Sequence, residues 1–198
     1  MTGVSSFTSS IRDPQTGRYS CQKDVLLLRM YSLNAPVPGA ISALAWDLRS
    51  ALTGFERIRD ELTLVVKRME GRSAGEFAAE ERAIRQAIAG TAPMEAAVVG
   101  VDVFEEPPAG PAPVVYLEVE SPGLIELHTQ LVEHYGALGP VEGADYTPHI
   151  TLARGTDDPS IIEMVREVAE PQHTWTIDRL VFWDARRGVP AGEVSLPT

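Results

Sequence analysis

An imidazole and a hydroxyl stand two positions apart in the stretch Tyr146-Thr147-Pro148-His149-Ile150-Thr151-Leu152-Ala153-Arg154. Pro148 disfavours helical backbone at the residue before it, and residues 149–152 alternate polar and apolar. On a strand, that alternation puts His149 and Thr151 on one face and Ile150 and Leu152 on the other. Imidazole titrates near neutrality and a hydroxyl can donate to a phosphate oxygen, so this face could wall a phosphate-handling cleft. A half-buried strand carrying an incidental histidine would look the same, so the motif needs a partner elsewhere. Arg154 could reach a phosphate with its planar fork, or form a surface ion pair. Tyr146 could stack on a base, or pack at a strand edge.

The remaining histidines are weaker candidates. His128 lies on an apolar helix stripe and reads as packed, and His134 and His173 read as surface or strand-end residues. The six-residue gap between His128 and His134 is wrong for two ligands on one helical face, and no Cys/His cluster exists, so no metal is expected. Gly71-Arg72-Ser73-Ala74-Gly75 lacks the lysine of a phosphate-binding loop. No cofactor is expected.

Composition narrows the class. The 198 residues suffice for one sizeable core, 44% are hydrophobic, and no apolar run approaches membrane-spanning length. Val25 to Leu28 is too short for the hydrophobic region of a signal peptide. Cys21 alone forms no internal disulfide, which fits a cytoplasmic protein. The net charge of −11, from 28 acidic and 17 basic residues, argues against binding long duplex nucleic acid. A small phosphorylated ligand held by a few arginines remains compatible. Only Lys23 and Lys67 are lysines, and abundant acid with so little lysine points to a halophilic origin. At about 1 M salt the Debye length is roughly 3 Å, which would screen the self-repulsion.

The elements that must position the motif can be read in order. Residues 1–29 are Ser-, Thr- and Gly-rich with turn signals, and are expected to be a disordered extension, with Met30 as a possible translation start. A strand over 30–33 precedes a helix over 40–52, then a strand over 62–66. Ser73 and Glu76 form a capping-box pattern opening a helix to about residue 89. Strands over 94–104 and 113–119 flank a Pro/Gly-rich linker, giving a loose hairpin. Ser121-Pro122 and Asp158-Pro159 each open a further helix. A long strand over 174–183, with Trp175 and Trp183 on its core face, and a short one near 193–196 close the chain. The predicted class is α+β: a single domain over 30–198, with antiparallel sheets in two lobes and helices on their outer faces.

A weak internal repeat supplies the partner. Glu61-Leu62-Thr63-Leu64 lies 88 residues before His149-Ile150-Thr151-Leu152 and matches it at the threonine and the final leucine. Here the chain resembles the 2H phosphoesterase superfamily, in particular its 2′-5′ RNA ligase-like branch. That family is marked by two His-x-Thr/Ser-x motifs facing each other across a central cleft. Pro148 to Arg154 looks like its second motif. The resemblance runs from about Met30 to Leu196 and implies cyclic phosphodiesterase or 2′-5′ ligase chemistry. Two imidazoles on opposite sides of phosphorus would exchange protons with the attacking and leaving oxygens, and two threonines would bind the non-bridging oxygens.

The departure from that pattern is Glu61. It occupies the first histidine position, and no histidine stands anywhere in residues 1–127. A carboxylate there repels a phosphodiester unless it is protonated or offset by a cation, and burial could fit it for acid–base work. The expected site is therefore His149, Thr151, Thr63 and Glu61 for chemistry, with Arg154 and Tyr146 for binding. The expected ligand is a small phosphorylated molecule, a cyclic nucleotide or an RNA terminus, taken by a soluble monomer with weak or altered activity. The alternative is a noncatalytic protein of the same fold that binds nucleotides or RNA ends or serves as an interaction module.

Overall fold

A computed structural model describes residues 31–69, 73–139, 142–156, 158–168 and 173–197. The expected extension over 1–29, the possible start at Met30 and the Gly71-Arg72 turn lie outside these residues. In chain order the elements are β1 (Tyr31–Ala35), α1 (Gly39–Asp47) with a 3₁₀ turn at Leu48–Ser50, β2 (Arg57–Ile58) and β3 (Leu64–Met69). Then come α2 (Ala74–Ala87), β4 (Met94–Phe104), β5 (Val114–Glu120), α3 (Pro122–Tyr135) and a 3₁₀ turn at Gly143–Asp145. The chain closes with β6 (His149–Arg154), α4 (Pro159–Val168), β7 (His173–Ile177), β8 (Arg179–Asp184) and β9 (Val189–Ser195). None of the described helices is long and apolar enough to cross a membrane.

The class is α+β, as expected. The strands form one nine-stranded antiparallel sheet, ordered β7-β4-β5-β6-β3-β1-β8-β9 with β2 against β6, rather than separate sheets. Its two halves meet between β3 and β6 through a single residue pair, Leu64 opposite Ile150. Both side chains are fully buried and belong to one continuous core. That core gathers Leu33, Val66, Val115 and Leu117 from the sheet with Phe77 and Ile84 of α2, Leu124 and Leu131 of α3, and Val165 of α4. Helices thus cover one face of the sheet, and the other is left for the cleft.

The helix starts follow from the cap residues. Glu76 donates its backbone N–H to Ser73 Oγ at 3.2 Å, and the Ser73 N–H reaches Glu76 Oε2 at 3.1 Å, closing the capping box. Ser121 Oγ accepts from the Leu124 N–H and donates to the Glu95 carbonyl at 2.7 Å, tying α3 to β4.

The single strand expected over 174–183 is two strands. The chain breaks at Asp178, whose carbonyl accepts from the Leu196 N–H at 2.7 Å. β7 then pairs with β4 on one half and β8 with β1 on the other. Trp175 consequently packs against the core, whereas Trp183 lines a cavity on the open face. One unbroken strand would have put both indoles on the same side.

Candidate functional site

The open face of β6 is set by its neighbours. Val115 pairs with Ala153 but Tyr116 pairs with Thr151, so the register slips by one residue at Leu152. Leu152 and Ala153 are both buried as a result. Arg154, which strict alternation would place with Ile150 and Leu152, instead pairs with Val114 on the face of Tyr116 and Thr151. The irregularity brings His149, Thr151 and Arg154 to one side. Arg154 Nη1 donates to the Ala109 carbonyl at 3.1 Å, so the linker between β4 and β5 steadies the guanidinium.

His149 is held from two directions. Its Nδ1–H donates to the Thr147 carbonyl at 2.8 Å, which leaves the Nε2 lone pair as the reactive end. The rings of Phe104 and Tyr116 meet it edge-on, with centroids 5.1 and 5.3 Å away, and stack on each other at 4.1 Å. Burial lowers the proton affinity of His149, the hydrogen bond to Thr147 raises it, and the Arg68 and Arg154 guanidiniums lower it further. Its affinity lies below that of an ordinary histidine, and the ring is neutral at pH 7.

Positive charge converges here in a chain whose net charge is −11. Burial, then Arg59, Arg68 and Arg57, lower the proton affinity of Arg154. Arg57 lies opposite Arg154 in the β2–β6 ladder. Among the described residues, none of these four arginines forms an ion pair. Tyr116, Phe104, Arg57, Arg59 and Arg68 were not anticipated from the sequence. No local signal in the sequence marks the arginines, because their convergence depends on how β2, β3 and β6 lie together.

The first motif is built differently from the second. β2 runs along β6, and the Arg59 N–H donates to the Leu152 carbonyl at 2.8 Å, but the ladder resumes only at Leu64 opposite Ile150. Asp60 to Thr63 therefore loop out where β6 has only Thr151. The strand expected from Leu62 starts at Leu64. Thr63 is half-buried and lines a cavity of about 420 Å³ together with Glu61, Asp60, Asn34 and Trp183. The burial on which acid–base work by Glu61 depended is missing, because this side chain is exposed.

Tyr146 packs where the chain enters β6. One face of its ring lies on His128 at 3.7 Å, 11° from parallel, and its hydroxyl donates to the Val65 carbonyl at 2.8 Å. His128 is packed, as expected. Its Nδ1–H donates to the Val66 carbonyl at 2.7 Å, and Nε2 accepts from the Gly143 N–H at 2.9 Å. Beside them, Lys67 Nζ meets Glu142 Oε2 at 2.7 Å in a pair whose side chains are 2% and 1% exposed. Glu142 also accepts from the Arg68 and Leu138 N–H groups. This network clamps the segment leading into β6 onto β3, and so fixes where His149 begins.

Comparisons with known proteins place the chain in a family and a fold. Residues 54–189 match the model of the 2'-5' RNA ligase superfamily. No curated protein matches the sequence significantly. Among solved structures, TT0787 of Thermus thermophilus is similar at 17% identity and TM-score 0.60, over 84% of this chain and 97% of that one. E. coli LigT complexed with NADP+ is similar at 17% identity and TM-score 0.59, over 86% and 98%. The 3'-AMP complex of LigT gives 18% identity and TM-score 0.56 over the same shares.

Proposed function

Because the chain belongs to the 2'-5' RNA ligase superfamily, we propose that it binds the phosphate of a nucleotide or RNA end on the open face of β6, and that it hydrolyses cyclic phosphodiesters only slowly. The observation that carries this reading is the asymmetry of the site. One half holds a tethered imidazole flanked by the rings of Phe104 and Tyr116 and by guanidiniums, and the other offers a carboxylate on an exposed loop. LigT is similar in fold and has been captured with 3'-AMP, ATP and phosphate. That supports a small phosphorylated ligand here.

Each residue then has a chemical part. His149 Nε2 can take the proton of an attacking water, since the ring is neutral at pH 7 and Nδ1 is occupied. Thr151 and Thr63 donate to non-bridging oxygens, and Arg154 balances the charge that grows on them. Proton delivery to the departing ribose oxygen is the missing half. Loss of such a group lowers rates by about 10²–10⁴. Glu61 is not given that task, and Tyr146 is a positioning residue that anchors the entry to β6.

Calorimetric titration of a 2′,3′-cyclic nucleotide into the wild type, Arg154→Met and His149→Ala tests the phosphate site. Arg154→Met is expected to weaken binding about tenfold or more, in line with roughly 1.5–3 kcal/mol for a charged hydrogen bond. Unchanged binding in both variants would place the phosphate elsewhere.

A further inference from the structure

The cavity beside the phosphate face has a chemistry of its own. β1 supplies Ser32 and Asn34, β8 supplies Trp183, and the segment after β2 supplies Arg59, Asp60, Glu61 and Thr63. Its charged groups are two carboxylates, which accept hydrogen bonds, and one guanidinium, which donates them. Asn34 is 5% exposed, yet its side-chain oxygen has no hydrogen-bond partner among the described residues. A buried acceptor without a partner is unfavourable and marks this wall of the cavity as polar. Asp60 already holds Arg49 at 2.7 Å, whereas Glu61 makes no ion pair or hydrogen bond among the described residues. The half-buried indole of Trp183 gives the cavity a flat apolar wall.

Resting on the phosphate reading above, we infer that this cavity is a base subsite selective for guanine, with Glu61 as the residue that reads it. A carboxylate accepts two parallel hydrogen bonds. Guanine presents two adjacent donors, N1–H and the N2 amine, at the spacing of the carboxylate oxygens. Adenine and cytosine set a single amine beside an acceptor, and uracil flanks its one N–H with two carbonyls that a carboxylate repels. Base selection by hydrogen bonds to this edge, with the ring stacked on an aromatic side chain, is a general solution. Glu61 thereby has a positive use at a position where histidine would serve catalysis. The volume of about 420 Å³ is in the range of small-molecule pockets.

The test is calorimetric titration of the full chain, wild type and Glu61→Gln, with 3′-GMP, 3′-IMP, 3′-AMP, 3′-UMP and inorganic phosphate. The wild type is expected to bind 3′-GMP at least tenfold tighter than 3′-UMP, with 3′-IMP between them because it lacks the N2 amine. Glu61→Gln is expected to collapse the GMP-to-UMP ratio toward one. The ratio discriminates, because removing a negative charge raises affinity for every phosphate alike. Equal nucleotide affinities with phosphate binding intact would overturn the guanine subsite and leave the phosphate site standing. So would a ratio that survives the substitution. Failure of every nucleotide and of inorganic phosphate to bind would overturn both readings.

Discussion

Among single residues, His149 sets what the site can do, because its surroundings hold its ring and lower its proton affinity. Phe104 on β4 and Tyr116 on β5 pack against the ring, Glu118 on β5 lies opposite it in the ladder, and Arg68 on β3 and Arg154 on its own strand act on its charge. Burial and the two guanidiniums hold its proton affinity below that of an ordinary histidine. A cyclic phosphodiester stays a monoanion across the accessible pH range, so only the protein titrates when it binds. Because its proton affinity is lowered, the imidazole is neutral at neutral and alkaline pH and affinity should be flat there. On acidification the imidazolium forms and adds attraction, so the dissociation constant should drop. The bound anion in turn raises the histidine's proton affinity. Titrations between pH 5 and 8 check this, and His149→Ala should remove the acid-side tightening. A wild-type profile that weakens on acidification would contradict it. His149 was legible in the sequence, because alternation over 149–152 is a local property. Arg154 was legible only as a residue type. The register slip at Leu152 that returns it to the histidine's face is imposed by β5, a strand remote in the chain.

Among the elements, β3 and the segment before β6 matter most. They meet in one ladder pair, so side-chain contacts hold the junction. The Lys67–Glu142 pair, the His128 bridge and the Tyr146 hydroxyl all join residues 65–68 to residues 142–146 or α3. Removing one member of a buried pair leaves the other charge uncompensated, at about 3–5 kcal/mol. Lys67→Met should therefore lower the unfolding free energy by that amount, measured by urea denaturation. A loss under about 1 kcal/mol, the range of a surface pair, would show that the pair does not hold the junction. Capped helices and the loose β4–β5 hairpin were readable because their signals are local, as with Ser73 and Glu76. The split at Asp178 was not. β-branched and aromatic residues run through 174–183 without a clear stop, and only the transfer from β4 to β1 interrupts them. The loop over Asp60 to Thr63 was hidden in the same way, since Leu62-Thr63-Leu64 alternates like a strand.

Across the molecule, two opposed charge distributions coexist. The chain carries −11 overall, while Arg57, Arg59, Arg68 and Arg154 gather at the cleft. Added salt should act on them with opposite signs. Screening of self-repulsion predicts that raising NaCl from 0.1 to about 1 M, where the Debye length shrinks from roughly 10 to 3 Å, increases the melting temperature. The same change should weaken nucleotide binding, because the attraction of the arginines is screened as well. Melting curves and titrations across that series check both, and a melting temperature that falls with salt would remove the salt-adapted reading. The two motifs are joined where Leu64 pairs with Ile150, and in the reading proposed here only the half with His149 keeps its proton-transferring group. The most direct measurement is hydrolysis of a 2′,3′-cyclic nucleotide by the wild type and Glu61→His. A gain of about 10²–10⁴ in rate is predicted for Glu61→His, abolished by adding His149→Ala. Rapid turnover by the wild type, equal to that of Glu61→His, would contradict it.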